Sequence, residues 1–138
     1  MPEILEFVKV YEYDTRKTGI TVPVIIQVGN DAVEINAKID TGSTYCILER
    51  ATAELLNIAV ESGTPMSMST ATGTFLTYGH RVTLWTLGMA TEATVFFIAE
   101  QHIRRNILGR SGWLDRVILG LNDYEGKLFL SPYSVEMV

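Results

Sequence analysis

With 138 residues, 47% of them hydrophobic and 20% charged, the chain has the size of one domain with an ordinary core and is too apolar for a disordered protein. A formal net charge of -5 excludes a nucleic-acid surface, which needs clustered Lys and Arg, and the Arg104-Arg105 pair is too short to reverse that. Cys46 is the single cysteine and His80 and His102 the only histidines, so the sequence offers no intramolecular disulfide, no metal site and no cofactor motif, and a reducing compartment fits best.

The chain opens on MPEILEFVKV, whose two glutamates break any apolar core, so it does not read as a signal peptide. No apolar run is long enough to span a bilayer, and a soluble cytoplasmic protein without a membrane partner is expected. Strands are predicted over Ile4 to Tyr13 and over the β-branched run Thr21 to Val28, followed by a hairpin turn at Gly29-Asn30-Asp31. Val33, Ile35, Ala37 and Ile39 then alternate with Glu34, Asn36, Lys38 and Asp40, a period of two that sends the two sets to opposite faces of a strand. Asp40 emerges on the polar side as that strand ends.

A short strand at Tyr45 to Leu48 leads into the one predicted helix, Glu49 to Ile58, with Ala53, Leu55 and Leu56 on its apolar face. Thr64 to Gly79 is rich in small and hydroxylated residues around Gly73 and reads as a long hairpin with an exposed tip; strands follow at Val82 to Leu87 and Ala93 to Ala99. Beyond Ile107-Leu108-Gly109-Arg110 come a short helix or turn through Trp113, a strand Val117 to Leu121, a turn Asn122 to Gly126 and a last strand Lys127 to Leu130. Many short strands with turn signals every dozen or so residues predict a mostly β fold, a barrel or sandwich with one short helix, in a single domain over 1–138.

The stretch that carries chemistry is Asp40-Thr41-Gly42-Ser43-Thr44. Asp supplies a carboxylate, Gly42 brings a backbone N–H close to it, and the hydroxyls of Thr41, Ser43 and Thr44 can hold its orientation. The tripeptide is equally good turn chemistry, because Asp caps backbone amides and Gly takes unusual φ. Other residues read as structural. His80 and His102 lack metal-ligand spacing, Cys46 has no evident base, Met66 and Met68 fit core or hairpin packing, Trp85 and Trp113 fit the core, and Ser111-Gly112 is no nucleophile elbow.

Taken together, an apolar strand ending in Asp40-Thr41-Gly42-Ser43, the Cys46-Ile47-Leu48 strand, a long hairpin and the later Ile107-Leu108-Gly109-Arg110 resemble the retropepsin family of retroviral-type aspartic proteases over about Thr18 to Pro132. The resemblance implies a retropepsin-like closed β-barrel, the acid-protease half-fold, with a flap hairpin. It makes Asp40, Thr41 and Gly42 the catalytic loop, Asp40 as the carboxylate and Thr41 as a bond across a dimer axis. Substrate would contact Ser43 and Thr44 and a flap formed by Thr70, Ala71, Thr72, Gly73 and Thr74, while Ile107, Leu108, Gly109 and Arg110 would support the site. Two departures stand out: Thr44 occupies a place where several family members carry an acid that pairs with the arginine of the second loop, and the flap tip keeps only Gly73.

This chemistry needs two carboxylates sharing one proton, and the chain holds one Asp-Thr-Gly; Glu61-Ser62-Gly63 begins with the wrong acid. A homodimer acting on peptide or protein substrates is therefore expected, with an acidic pH optimum and with chain ends, Ile4 to Val10 and Leu128 to Leu130, interleaved in a shared sheet. The expected setting is a stand-alone cellular protein, prokaryotic rather than viral. The rival reading is a catalytically weak retropepsin-fold module for dimerisation or peptide binding.

Overall fold

The computed structural model describes residues 1–134. Ten strands and one α-helix follow in chain order: β1 (Lys9–Glu12), β2 (Thr21–Val28), β3 (Asp31–Ile39), β4 (Ile47–Leu48), α1 (Arg50–Leu55), β5 (Thr64–Thr70), β6 (Gly73–Thr86), β7 (Met89–Ile98), β8 (Ile107–Leu108), β9 (Val117–Asn122) and β10 (Lys127–Pro132), with 3-10 turns at Val60–Ser62 and Leu114–Arg116. The fold is mostly β, as the short alternating segments predict.

Seven strands run in the order β2-β3-β8-β4-β7-β6-β5, and a further pairing of β2 with β6 closes six of them into a ring that leaves β5 outside. Gly29 makes the β2–β3 turn with φ +59 while Asn30 keeps an ordinary φ, so a glycine-first two-residue loop sets the register in which Val28 faces Asp31. The ring encloses the main core, in which Val22, Val24 and Ile26 from β2, Leu84 from β6 and Phe97 from β7 are fully buried. Trp113 joins them, its Nε1 donating to Thr86 Oγ1 at 2.9 Å. A second, smaller cluster of Ile47, Met68, Phe75, Phe96 and Ile98 lies beneath the β5–β6 hairpin.

Several expectations need correction. The expected break between Gly79 and Val82 is absent: β6 runs unbroken for 14 residues because its pairing with β5 through Gly79 overlaps its pairing with β7 from Thr77 onward, although the buried positions change phase between Gly79 and Val82. Helix α1 ends at Leu55, not Ile58. Asn57 takes φ 58, its N–H bonds Glu54 O and that of Ile58 bonds Ala53 O, the paired closure that terminates a helix through a left-handed residue. Leu56 and Ala53 are buried but Leu55 is 67% exposed. Trp85 lies on the outer face of the sheet, half-exposed, with its Nε1 donating to Gln27 Oε1 at 2.9 Å.

At the chain ends, only Lys9–Glu12 of the predicted N-terminal strand pairs. The preceding residues are tied down by Ser131, whose Oγ donates to Glu6 O and accepts from Val8 N, both at 2.9 Å. β10 sits between β1 and β9 in a three-stranded antiparallel sheet. Both edges of Leu128–Leu130 are thus filled within one chain, contrary to the expected interleaving of that strand; the outer edges of β1 and β9 are the ones left unpaired within the sheet.

Candidate active site

Strand β3 delivers Asp40 as predicted: Ala37 points into the core, Lys38 outward, and Asp40 is half-exposed where pairing ends. Two very short strands then fix the loop. β8 pairs in parallel with β3, Lys38 opposite Ile107 and Ile39 opposite Leu108, and antiparallel with β4, Ile47 opposite Ile107. Four main-chain bonds clamp residues 38–44 onto residues 106–111: Lys38 N to Asn106 O at 2.8 Å, Asp40 N to Leu108 O at 3.0 Å, Arg110 N to Ser43 O at 2.9 Å and Ser111 N to Thr44 O at 2.7 Å. The structure thereby brings together Asp40 to Thr44 and Ile107 to Arg110, although more than sixty residues separate them in sequence.

Within the loop, the Gly42 N–H donates to Asp40 Oδ1 at 2.9 Å and Ser43 N to Asp40 O at 3.1 Å. One carboxylate oxygen therefore closes the turn, and Oδ2 has no hydrogen-bond partner among the described residues. The Ser43 hydroxyl does not orient Asp40, as expected from its sequence position; it donates to Tyr45 O at 2.7 Å. Thr41 is exposed and its hydroxyl makes no bond within the described residues. Gly109 is required by close approach: a β-carbon there would lie 2.2 Å from Tyr45 O and 2.7 Å from Ser43 O.

Cys46 packs behind this loop, fully buried, with the Gly109 N–H directed at its sulfur at 3.4 Å. Burial pushes its thiol up to about 11, outweighing the opposing effect of the Gly109 N–H. We expect the native protein to resist Ellman's reagent at pH 8 and to release one thiol equivalent only in denaturant; rapid labelling of folded protein would contradict this packing.

Open depressions adjoin the loop, one of them lined by Thr44, Arg110, Ser111 and Asp115; two others are larger. One, of about 430 Å³, is lined by Asp40, Lys38, Arg104, Arg105, Asn106 and Ile107. The other, of about 420 Å³, runs between Gly42 to Tyr45 and Met66 to Ser69 of β5. Its apolar side rests on the second core cluster, where Tyr45 meets Phe96 edge-on with ring centroids 5.0 Å apart. At the hairpin tip the Thr70 hydroxyl accepts from Thr72 N at 3.3 Å and donates to Gly73 O at 3.1 Å, and Gly73 takes φ 143. Thr70, Thr72, Gly73 and Thr74 line a further depression of about 200 Å³ together with Ile103 and Arg105. Ala71 is exposed at the turn and lines none of these.

A family described as aspartyl protease matches residues 22–122, which spans β2 to the end of β9. The chain belongs to the aspartyl protease family. Its fold is that of the retroviral proteases: 181 solved chains match, among them the EIAV protease in complex with the inhibitor HBY-793, with a TM-score of 0.54 and 22% identity over 68% of this chain and 84% of that one. No curated protein gives a significant sequence match.

In this aspartyl protease the departure at Thr44 has a visible counterpart. Arg110 is exposed and its guanidinium has no acid partner among the described residues, because Asp115 is engaged by Arg116 at 3.3 Å and by the Gly112 N–H at 3.0 Å. Ser111 N takes over at Thr44, bonding its carbonyl. Sequence reasoning missed the basic side of the site, Lys38, Arg104 and Arg105. The Arg104-Arg105 pair was visible, but no local pattern places it beside Asp40. Among the described residues no helix is long and apolar enough to cross a membrane, and no group of three metal-ligating side chains occurs.

Proposed function

We propose that the protein is a homodimeric aspartic endopeptidase in which two Asp40 carboxylates, one from each subunit, activate a water molecule. The supporting observation is the clamped Asp40-Thr41-Gly42 loop, which holds Asp40 rigidly by its backbone and by Oδ1 while leaving Oδ2 unpartnered beside an open depression. With one such loop per chain, the second carboxylate comes from a second copy across a two-fold axis. One carboxylate then takes a proton from the water as its oxygen attacks the scissile carbonyl. The other gives its proton to the carbonyl oxygen, and proton return to the amide nitrogen releases the two peptides.

The rest of the site supports an extended peptide as substrate. β5 lies outside the closed ring, as the outermost strand of the order, and the hairpin it forms with β6 would serve as the flap. An extended chain added along a strand edge gains main-chain hydrogen bonds, and its alternate side chains enter pockets. Here the pocket beside Met66 and Met68 is apolar at its base.

The rival reading, a binding module with little turnover, draws on the unpaired Arg110 guanidinium opposite Thr44. The two part company in one experiment. An active dyad binds a statine-containing peptide more tightly at acidic pH, and sedimentation equilibrium at micromolar concentration gives a dimer. Monomer throughout would defeat both the dimer and the peptidase; a dimer that binds the statine no better than an ordinary peptide at any pH would leave the module.

A further inference from the structure

The chain is acidic overall, and four of its seven arginines are neutralised at close range. Arg16 pairs with Asp14, Arg50 with Glu61 and Glu54, Arg81 with Glu92, Arg116 with Asp115 and Lys127 with Glu125. Among the described residues, three arginines have no such partner, Arg104, Arg105 and Arg110, and all three lie at the site. Arg104 and Arg105 line the depression that contains Asp40, together with Lys38. Arg105 also lines the depression under the hairpin tip, between Ile103 and Thr74. It therefore stands between Asp40 and the flap, where the side chain next to a scissile bond would lie.

Unpaired arginines crowded into a cleft of an acidic protein repel one another and are relieved by an anion. Guanidinium groups favour carboxylates through paired N–H donors, which a point charge such as Lys does not supply. Arg104 and Arg105 also sit immediately before Asn106, whose carbonyl is clamped to Lys38 N, so their main chain is anchored to the strand that carries Asp40.

We infer that Arg104 and Arg105, assisted by Lys38, form a subsite for a carboxylate side chain, so that the protein selects peptides with Asp or Glu adjacent to the bond presented to Asp40. This inference rests on the peptidase reading for the position of the bond, but not for the charge preference. Two-fold symmetry would repeat the subsite on the other side of the bond, so acidic residues on either side are accepted.

The test separates binding from turnover. Fluorescence anisotropy on the full chain with statine-centred peptides bearing Glu, Gln or Lys beside the statine should show Glu bound roughly five- to tenfold more tightly than Gln, and Lys more weakly than either. Raising salt from 0.05 to about 0.5 M should compress the difference, since screening is nearly complete over contact distances beyond a few Å at that strength. Arg104→Gln/Arg105→Gln should abolish the Glu preference, so that the Glu and Gln peptides bind alike, and the double Lys variant should restore it in part. Equal binding of the three peptides, or a Glu preference that survives the double Gln variant, would overturn the subsite. Hydrolysis of the corresponding amide peptides is read separately: no cleavage with the Glu preference intact refutes the peptidase reading and upholds the subsite.

Discussion

Asp40→Asn protein should lose peptide hydrolysis by about 10²- to 10⁴-fold, the range that removal of a general acid–base group gives, while keeping its fold. The substitution is nearly isosteric, and the amide oxygen can still accept from the Gly42 N–H that Asp40 Oδ1 accepts at 2.9 Å. The main-chain clamp to Leu108 does not involve the side chain at all. Thermal midpoint and sedimentation behaviour should therefore match wild type, which separates chemistry from folding. Mixing adds a second readout. If each site needs one carboxylate from each copy, an equal, fully exchanged mixture of wild-type and variant chains retains about a quarter of the wild-type activity, because only that share of dimers has both carboxylates. Retention of half would point to an independent monomeric site, and undiminished hydrolysis by the pure variant would end the proposed mechanism.

The largest effect on stability is expected at Gly109. A β-carbon there meets the carbonyl oxygens of Tyr45 and Ser43 at 2.2 and 2.7 Å. Both are main-chain atoms of the clamped loop, which cannot swing aside as a flexible side chain would. Moving them also disturbs the Arg110 N to Ser43 O bond and the bond from Gly109 N to the buried Cys46 sulfur. Gly109→Ala should cost about 3 kcal/mol or more in urea unfolding and take activity with it. Gly29→Ala is the contrast, with open space around it and only the φ of +59 to resist, and should cost about 1 kcal/mol. Equal costs at the two positions would show that the loop is not held as tightly as described.

The sequence was most informative where local chemistry and fold agree. Period-two alternation through Ile39 places Asp40 on the polar face, and Gly29 and the Asn122 to Gly126 turn delimit strands without help from distant contacts. Legibility ends where tertiary contacts decide. β4 and β8 are two residues each, too short for any periodicity, and exist because they fill a gap between β3 and β7. α1 stops at Leu55 because Asn57 beyond it turns left-handed, and asparagine is a weaker stop signal than glycine. The role of Ser43 follows from the direction of its side chain, toward Tyr45 O, which spacing does not encode. The basic wall shows the same limit: Arg104-Arg105 is too short to suggest nucleic acid, and only the β3–β8 pairing brings it to Asp40.

The parallel pairing of β3 with β8 also has a consequence for biosynthesis. Asp40 depends on Leu108 for its main-chain bond, and the ring closes only when residues beyond 100 have docked onto β3 and β4. At about 5–20 residues per second on the ribosome, Asp40 is made several seconds before the partner that positions it. Contacts so distant in sequence also form slowly, on the millisecond to second scale. A nascent chain thus carries the Asp-Thr-Gly motif without the geometry, so the proposed hydrolytic power would be withheld from its surroundings until translation has passed Gly109.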